Sequence, residues 1–286
     1  FSVYASNSVV YIYSARKEAL ILPLLERFKK ETGIKFRLVT GKADGLLKRL
    51  EIEGNLSPAD LFITVDAGRL QRAKKSGVLQ AIDNPTLKRR IPKSLRDRDN
   101  YWFGLSQRAR TIIYNKNLVN AEDLSTYENL ASSVWKGQLC IRSSDSIYNQ
   151  SLVASMIEVN GVKKTESWAR NLVSNFARPP TGGDTDLLKA TSAGQCSIAL
   201  ANTYYLGRLI NSKNNEEKIV AQNLAVFWPN QGDGDRGVHV NVSGAGMTKY
   251  ARNHKEAQVL LEYLVKDESQ KWYAEVNNEY PVVEGA

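Results

Sequence analysis

The sequence predicts an α/β protein with two lobes and a cleft between them, and three observations support this prediction. The chain has 286 residues, more than a single hydrophobic core usually organises. Short β-branched and aromatic runs alternate with segments of helical periodicity, a pattern typical of parallel sheets covered by helices. The alternation pauses near residue 100, resumes, and ends in segments expected to return to the first lobe, so the crossing strands would act as hinges.

The first lobe begins with a predicted β-α-β unit. Val9–Tyr13 is a β-branched and aromatic run, Lys17–Glu31 has leucine and phenylalanine at helical spacing, and Gly33 is a stop signal. The alternation continues through segments predicted as strand, helix, strand and helix: Ile34–Val39, Ala43–Glu53, Leu61–Val65 and Asp66–Lys75. Asn84–Asn100 has many charges and two prolines, so it is predicted to be a surface connection.

The second lobe is predicted to begin near Arg108 with the same alternation. Its predicted elements are Thr111–Tyr114, Leu139–Ile141, Gln150–Asn160, Thr165–Ser174, Thr185–Ala193, Ser197–Ala201 and Leu224–Trp228. Val238–Met247 is expected to return to the first lobe, followed by helices at His254–Lys266 and Ser269–Asn277. The predicted lobes are therefore 1–107 with 238–286, and 108–237.

Composition excludes several classes of protein. Hydrophobic residues make up 42% and charged residues 24%, as in ordinary globular chains, and no apolar run reaches the roughly 18 to 20 residues that span a bilayer. The formal charge of +9 is spread over helical faces, so a nucleic-acid partner is not predicted. Phe1–Asn7 lacks the basic and apolar regions of a signal peptide, which we interpret as a mature chain whose targeting segment has been removed.

The two cysteines leave two interpretations open. Cys140 and Cys196 each lie in a short strand-like run, and their spacing is compatible with a disulfide between neighbouring strands or with two buried free thiols. A disulfide would close a long loop and would favour an oxidising compartment.

Tyrosines lie where the predicted strands of both lobes end. Tyr13 ends the first strand, Tyr148 follows Leu139–Ile141, and Tyr204 and Tyr205 follow Ser197–Ala201. Ligands of α/β proteins gather at the carboxyl ends of strands. A single tyrosine there is usually a core or rim residue. Four of them favour binding of a hard trivalent cation, Fe(III), because such a cation displaces phenolic protons.

Basic residues accompany these tyrosines, and carboxylates and histidines are not favoured as ligands. Arginines near the tyrosines would offset the excess phenolate charge; they are Arg16, Arg108, Arg110 and Arg208. Pairing with surface carboxylates is the alternative for Arg16 and Arg110.

The carboxylates have a different expected role, which is the capping of helices or loops; the aspartates concerned are Asp44, Asp66, Asp145, Asp184 and Asp186. The two histidines, His239 and His254, are too few for a histidine-rich zinc or copper site.

Eight short segments carry a resemblance to a known family. They are Ser57–Asp60, Trp102–Leu105, Arg108–Arg110, Arg142–Ser144, Tyr148–Leu152, Asn202–Tyr205, Asn241–Gly244 and Glu279–Val282. These segments resemble the ferric-ion-binding substrate-binding proteins of bacterial iron ABC transporters, and most closely the cyanobacterial members. The resemblance covers nearly the whole chain. The tyrosine pair combined with Tyr-Asn-Gln-Ser is specific, whereas Ser-Pro-Ala-Asp is less so.

The resemblance implies a type II periplasmic-binding-protein fold with a hinge and an interlobe cleft. It implies iron ligation by Tyr13, Tyr148, Tyr204 and Tyr205. Side chains beside the ion or an accompanying anion would be Arg16, Arg108, Arg208 and Ser143. It also favours a Cys140–Cys196 disulfide.

The chain departs from the family at two places. Many relatives have histidine in the segment 16–18, and some have glutamate where Val65 stands. We therefore expect carbonate, water or Arg108 to complete the coordination sphere, and Fe(II) binding with an arginine rearrangement is conceivable.

The predicted function is delivery of one ferric ion to an inner-membrane ABC permease by a monomeric periplasmic protein that is not an enzyme. The alternative is a binding protein of the same fold for an organic or anionic solute, with the tyrosines as a stacking platform and Arg108 pairing the charge. A serine hydrolase is disfavoured, since no Gly-x-Ser-x-Gly elbow occurs.

Overall fold

The computed structural model describes residues 8–286, so the interpretation of Phe1–Asn7 lies outside the described residues. The contacts divide the chain into two compact units. Unit 1 contains the described residues up to Gln107 together with Val242–Ala286, and unit 2 is Arg108–Asn241. Both changes of unit fall inside strands, so the backbone is extended at each crossing.

The elements alternate as the sequence analysis predicted, which confirms the α/β class. The strands are β1 (Val9–Ser14), β2 (Lys35–Thr40), β3 (Leu61–Val65), β4 (Leu79–Gln80), β5 (Phe103–Asn115), β6 (Leu139–Cys140), β7 (Ile198–Asn202), β8 (Leu224–Phe227) and β9 (His239–Thr248). The α-helices are α1 (Leu22–Thr32), α2 (Ala43–Glu53), α3 (Ala67–Lys75), α4 (Pro85–Arg90), α5 (Ile147–Asn160), α6 (Val162–Ser174), α7 (Asp184–Ser192), α8 (Thr203–Ile210), α9 (Asn215–Gln222), α10 (His254–Leu264) and α11 (Asp267–Asn277). Among these described helices, none has both the length and the apolar character of a membrane-spanning segment.

Unit 1 is built on β1, which pairs in parallel with β2 on one side and β3 on the other. β9 adds to β3 in antiparallel register. The first helix ends where the sequence predicts, because Gly33 adopts a positive φ of 77° that closes the last turn of α1. Buried aliphatic and aromatic side chains from β1, α1 and α10 form the main core of this unit.

The connection predicted over Asn84–Asn100 contains a short helix that was not predicted. A short helix, α4, forms there because the Asn84 side chain accepts a hydrogen bond from the Leu87 backbone N–H at 3.0 Å and Pro85 stands in the first turn. Leu87 and Ile91 are buried. The many charges concealed the two apolar positions that anchor this helix.

Unit 2 is built on β7, which pairs in parallel with β6 and antiparallel with β5. β8 completes the sheet on the far side of β5. α8 begins directly after β7. The helix α9 was not predicted; it lies in a polar stretch where Asn214 caps it by accepting from the Glu216 N–H at 2.9 Å.

A disulfide joins Cys140 at the end of β6 to Cys196 just before β7, which confirms the disulfide favoured by the resemblance. The Cα atoms are 5.8 Å apart and the bridged residues are separated by 56 positions. In the chain-entropy model, closing a loop of this length stabilises the folded state by about 4 kcal/mol. The bond ties together the two parallel strands whose ends carry the candidate site.

Candidate metal centre

Two helix N-termini lie at the same edge of the unit 2 sheet. β6 and β7 are parallel neighbours, with Leu139 opposite Ile198 and Cys140 opposite Ala199, so their carboxyl ends point the same way. α5 follows β6 after a short loop, and α8 follows β7 directly. Tyr148 lies in the first turn of α5, and Tyr204 and Tyr205 lie in the first turn of α8. The partial positive charge of a helix N-terminus favours an anionic oxygen there.

The structure brings these three tyrosines together. The Tyr204 hydroxyl donates to the Tyr148 hydroxyl at 3.1 Å. The rings of Tyr204 and Tyr205 are in contact, with centroids 4.4 Å apart. Asn202 Nδ2 donates to the Tyr204 oxygen at 3.3 Å. Two phenolic oxygens thus converge on one point, and the third ring, that of Tyr205, packs against Tyr204.

Four guanidinium groups surround this tyrosine cluster. Those of Arg108, Arg110 and Arg142 lie 5.6, 5.9 and 5.5 Å from the centroid of the Tyr148 ring. Arg208 lies 4.7 Å from the centroid of the Tyr204 ring and 5.7 Å from that of Tyr205. Positive charge at these distances stabilises phenolate over phenol.

Arg110 is held by a buried network that the sequence analysis did not foresee. Its Nη1 donates to Asp184 Oδ2 at 3.1 Å and its Nη2 donates to Asn149 Oδ1 at 2.7 Å. Asp184 is fully buried and also accepts from the Asn202 backbone N–H at 3.0 Å. The capping role predicted for Asp184 was therefore wrong, because its carboxylate pairs with a guanidinium and orders the end of β7 instead.

The phenols of the cluster are poor acids in the absence of a cation. Burial raises the pKa of Tyr204 well above 10, and the neighbouring Tyr148 and Tyr205 raise it further, while Arg108 opposes the shift. Burial, followed by the charges of Tyr148 and Asp184, raises the pKa of Tyr205 to about 12. At neutral pH both phenols therefore carry their protons, and a ligating cation would have to displace them.

Tyr13 lies in unit 1 in a different environment. Its buried hydroxyl donates to the Glu53 carboxylate, at 3.0 Å from one oxygen and 2.9 Å from the other. Glu53 also accepts from Arg49 at 2.6 Å and from the Ser57 hydroxyl at 2.7 Å. Burial raises the pKa of Tyr13, and the bond to Glu53 raises it further.

The remaining predicted residues occupy separate positions. Arg16 is buried in unit 1 and donates to Glu279 at 2.8 Å. It is therefore ion-paired, as Arg110 is, but both pairs are buried rather than at the surface. The carbonyl of Ser143 accepts from Asn149 Nδ2 at 3.2 Å, so Ser143 helps to hold the loop that carries Tyr148.

The residues that sequence reasoning missed lie inside the motifs that it quoted. Arg142, Asn149 and Asn202 each stand next to, or within a few positions of, a predicted ligand. Their polar character was visible, but their partners are far away in the chain. In the part of the chain that the structure describes, no group of three or more His, Cys, Asp or Glu side chains could hold a metal ion.

Comparison with protein families gives two matches over this chain. A family model described as "Bacterial extracellular solute-binding protein" matches residues 57–286. A second model with the same description matches residues 9–101. Together these two matches span both units.

Individual relatives are similar over nearly the whole chain. Iron uptake protein A1 of Synechocystis is 48% identical over 276 residues, covering 96% of this chain and 76% of that protein. The Fe(3+)-binding periplasmic protein of Serratia marcescens is 27% identical over 288 residues, covering 99% of this chain and 81% of that protein. A solved structure of the Trichodesmium protein IdiA (FutA) in complex with iron and citrate has 51% identity and a TM-score of 0.93, covering 97% of this chain and 87% of that one.

Proposed function

We propose that this chain, which belongs to the family of bacterial extracellular solute-binding proteins, carries one ferric ion through the periplasm and delivers it to an ABC-type permease of the inner membrane. Membership of this family makes the chain a solute-binding protein and not an enzyme. Two relatives whose names specify iron uptake or ferric binding support iron as the solute. The ligands in this proposal are Tyr148, Tyr204 and Tyr205 of unit 2, joined by Tyr13 of unit 1, and the working form is a monomer.

The single observation that carries the proposal is the meeting of two phenolic oxygens, those of Tyr148 and Tyr204, 3.1 Å apart among four arginines. Two phenolate oxygens this close would repel each other unless a cation lay against both. Fe(III) is hard and highly charged, and it can replace the phenolic protons even though burial raises the pKa of Tyr204. The arginines then offset the negative charge that the phenolates bring.

The same contacts disfavour a stacking platform for an organic solute. A platform needs an open ring face, but the Tyr204 ring already contacts the Tyr205 ring and the Arg208 guanidinium. Tyr204 is only 6% exposed. The Tyr204 ring is therefore already covered, whereas the hydroxyl oxygens of Tyr148 and Tyr204 lie together.

Two finer parts of the proposal concern the coordination sphere. We propose that carbonate or water completes the ligand set, with Arg108 pairing any anionic ligand. Fe(II) would bind more weakly than Fe(III), because a divalent ion displaces phenolic protons less readily. A bound anion would be detected by its isotope-labelled infrared bands.

The test is a titration of iron-free protein with ferric citrate, followed by visible absorption and by metal analysis. We expect one ferric ion per chain and a tyrosinate-to-iron charge-transfer band. Tyr204→Phe removes one of the two paired hydroxyls and should reduce the iron affinity by more than about 100-fold. That loss exceeds the usual effect of removing a residue that only supports a metal ligand.

Tyr250→Phe is the matched control, because Tyr250 lies in unit 1 and is 43% exposed, and this variant should behave as the parent protein does. A colourless parent protein that retains no iron would overturn the proposal. A Tyr204→Phe variant that retains full binding of an organic anion would favour the stacking alternative, because phenylalanine keeps the aromatic ring and lacks only the hydroxyl.

A further inference from the structure

A cavity of about 450 Å³ lies within unit 2, between α5, α6 and the sheet. Its volume falls in the range of about 300 to 1,000 Å³ that is typical of small-molecule sites. The walls are apolar side chains from both helices, β7 and the segment after α6, among them Leu152, Val153, Trp168, Leu172, Phe176 and Leu200. None of the three clustered tyrosines lines it, and Arg142 is shared between the cavity and the surroundings of Tyr148.

One end of the cavity is polar and positive. Arg142, Ser144, Asn149 and Gln150 line that end, and all of them lie at or just before the N-terminal turn of α5. No side chain caps the N-terminus of this 14-residue helix, so its backbone N–H groups add partial positive charge at this end of the cavity. Among the described residues that line the cavity, none is acidic.

Arg142 is the one charged side chain in the lining, and it is only loosely engaged. Its closest contact with a carboxylate is Nη1 to Asp184 Oδ1 at 3.8 Å, which is too long for a hydrogen bond. That same Asp184 oxygen is buried without a hydrogen-bond partner. The guanidinium, a planar donor that pairs well with carboxylates, stands at the polar end of the cavity with only this long ion pair and the Tyr148 ring beside it.

We propose that this cavity is a second binding site, which takes an aromatic monocarboxylate. The carboxylate pairs with Arg142 at the N-terminus of α5, and the ring lies between the apolar walls. Trp168 and Phe176 favour a flat aromatic ring over an alkyl chain. The Trp168 indole is fixed for this role, because its Nε1 donates to the Tyr127 carbonyl at 2.8 Å. This inference is independent of iron and would stand if the proposed function failed.

The experiment uses iron-free full-length protein, 1-naphthoate as the probe and calorimetry as the readout. We expect one site per chain and binding at least about tenfold weaker for 1-naphthalenemethanol, which has the same ring system without the charge, because a charge-assisted hydrogen bond is lost. Absence of naphthoate binding up to millimolar concentration would overturn the proposal, and so would equal binding of the two probes.

Two variants locate the site. Ala169→Phe places a ring into the cavity from α6 and should abolish binding of both probes, and Val153→Phe does the same from α5 if the first variant fails to fold. Neither residue belongs to the tyrosine cluster, and a circular dichroism spectrum and thermal midpoint equal to those of the parent protein show that the fold is intact. Naphthoate binding that survives either folded variant would refute the assignment.

Arg142→Gln tests the headgroup contact. It should reduce the affinity for naphthoate to that for the alcohol while leaving binding of the alcohol unchanged. A variant that retains the tenfold preference for the carboxylate would show that Arg142 does not bind the headgroup, which would overturn the proposal.

Discussion

The two units prepare their tyrosines for a cation in opposite ways. In unit 2, Tyr148, Tyr204 and Tyr205 lie among four guanidiniums, and the carboxylate nearest to them, Asp184, is already paired with Arg110. In unit 1, the Tyr13 hydroxyl donates directly to Glu53, whose charge is shared with Arg49. In unit 2, positive charge can therefore offset the phenolates once a cation has displaced their protons, whereas in unit 1 a carboxylate holds the phenolic proton of Tyr13 in place.

Because of this difference, we expect the two units to contribute to ion binding at different steps. A ferric ion that meets unit 2 finds two oxygens already in contact. An ion that meets unit 1 must first break the bond between Tyr13 and Glu53. We expect unit 2 to supply most of the affinity and Tyr13 to join afterwards. The three predictions below test this division.

The largest expected effect is the pH dependence of iron affinity. The raised pKa values of Tyr204 and Tyr205 mean that these phenols are protonated throughout the range from pH 5 to 8, so each phenol that binds iron releases a proton. Release of these two protons should lower the association constant by up to about 100-fold for each unit of decrease in pH. Competition titrations against a chelator of known pH dependence measure this slope. A slope near zero would mean that the phenols do not ionise on binding.

The second prediction compares one tyrosine from each unit. Tyr13→Phe should reduce iron affinity by about tenfold, far less than Tyr204→Phe, because Tyr13 must exchange its bond to Glu53 for the ion. It should also reduce the proton release by one, whereas the charge-transfer band persists with lower intensity. Equal losses of iron affinity in Tyr13→Phe and Tyr204→Phe would refute the proposal that unit 2 supplies most of the affinity.

The sequence predicted which tyrosines lie together better than it predicted the environment of those tyrosines. Tyr148, Tyr204 and Tyr205 could be found because each follows a strand in the chain, and the parallel pairing of β6 with β7 then brings them together. Asp184 was misinterpreted, since an aspartate at a helix start normally caps, and nothing local reveals that Arg110, 74 positions earlier, will pair with it.

Predictions of the fold were limited in the same way, because they rest on local sequence patterns. α4 and α9 were missed because charged side chains outnumber the few apolar residues that anchor each helix. Glu53 lies at the end of a correctly predicted helix, α2, yet its contact with Tyr13 spans 40 positions. Contacts between distant segments depend on register and crossing geometry, which local periodicity does not encode.

The smallest predicted effect concerns that distant contact. Glu53 raises the pKa of Tyr13 by accepting its hydrogen bond and by its charge, so Glu53→Gln should ease ionisation of Tyr13. We expect iron affinity at neutral pH to rise by about three- to tenfold, because loss of the carboxylate charge makes the phenolic proton easier to displace. The same substitution in a Tyr13→Phe background should have no effect, because the phenol on which Glu53 acts is absent. Glu53→Gln could instead change iron affinity equally in both backgrounds. Glu53 would then act on the ion or on the fold of α2, and the proposal that it restrains Tyr13 would be wrong.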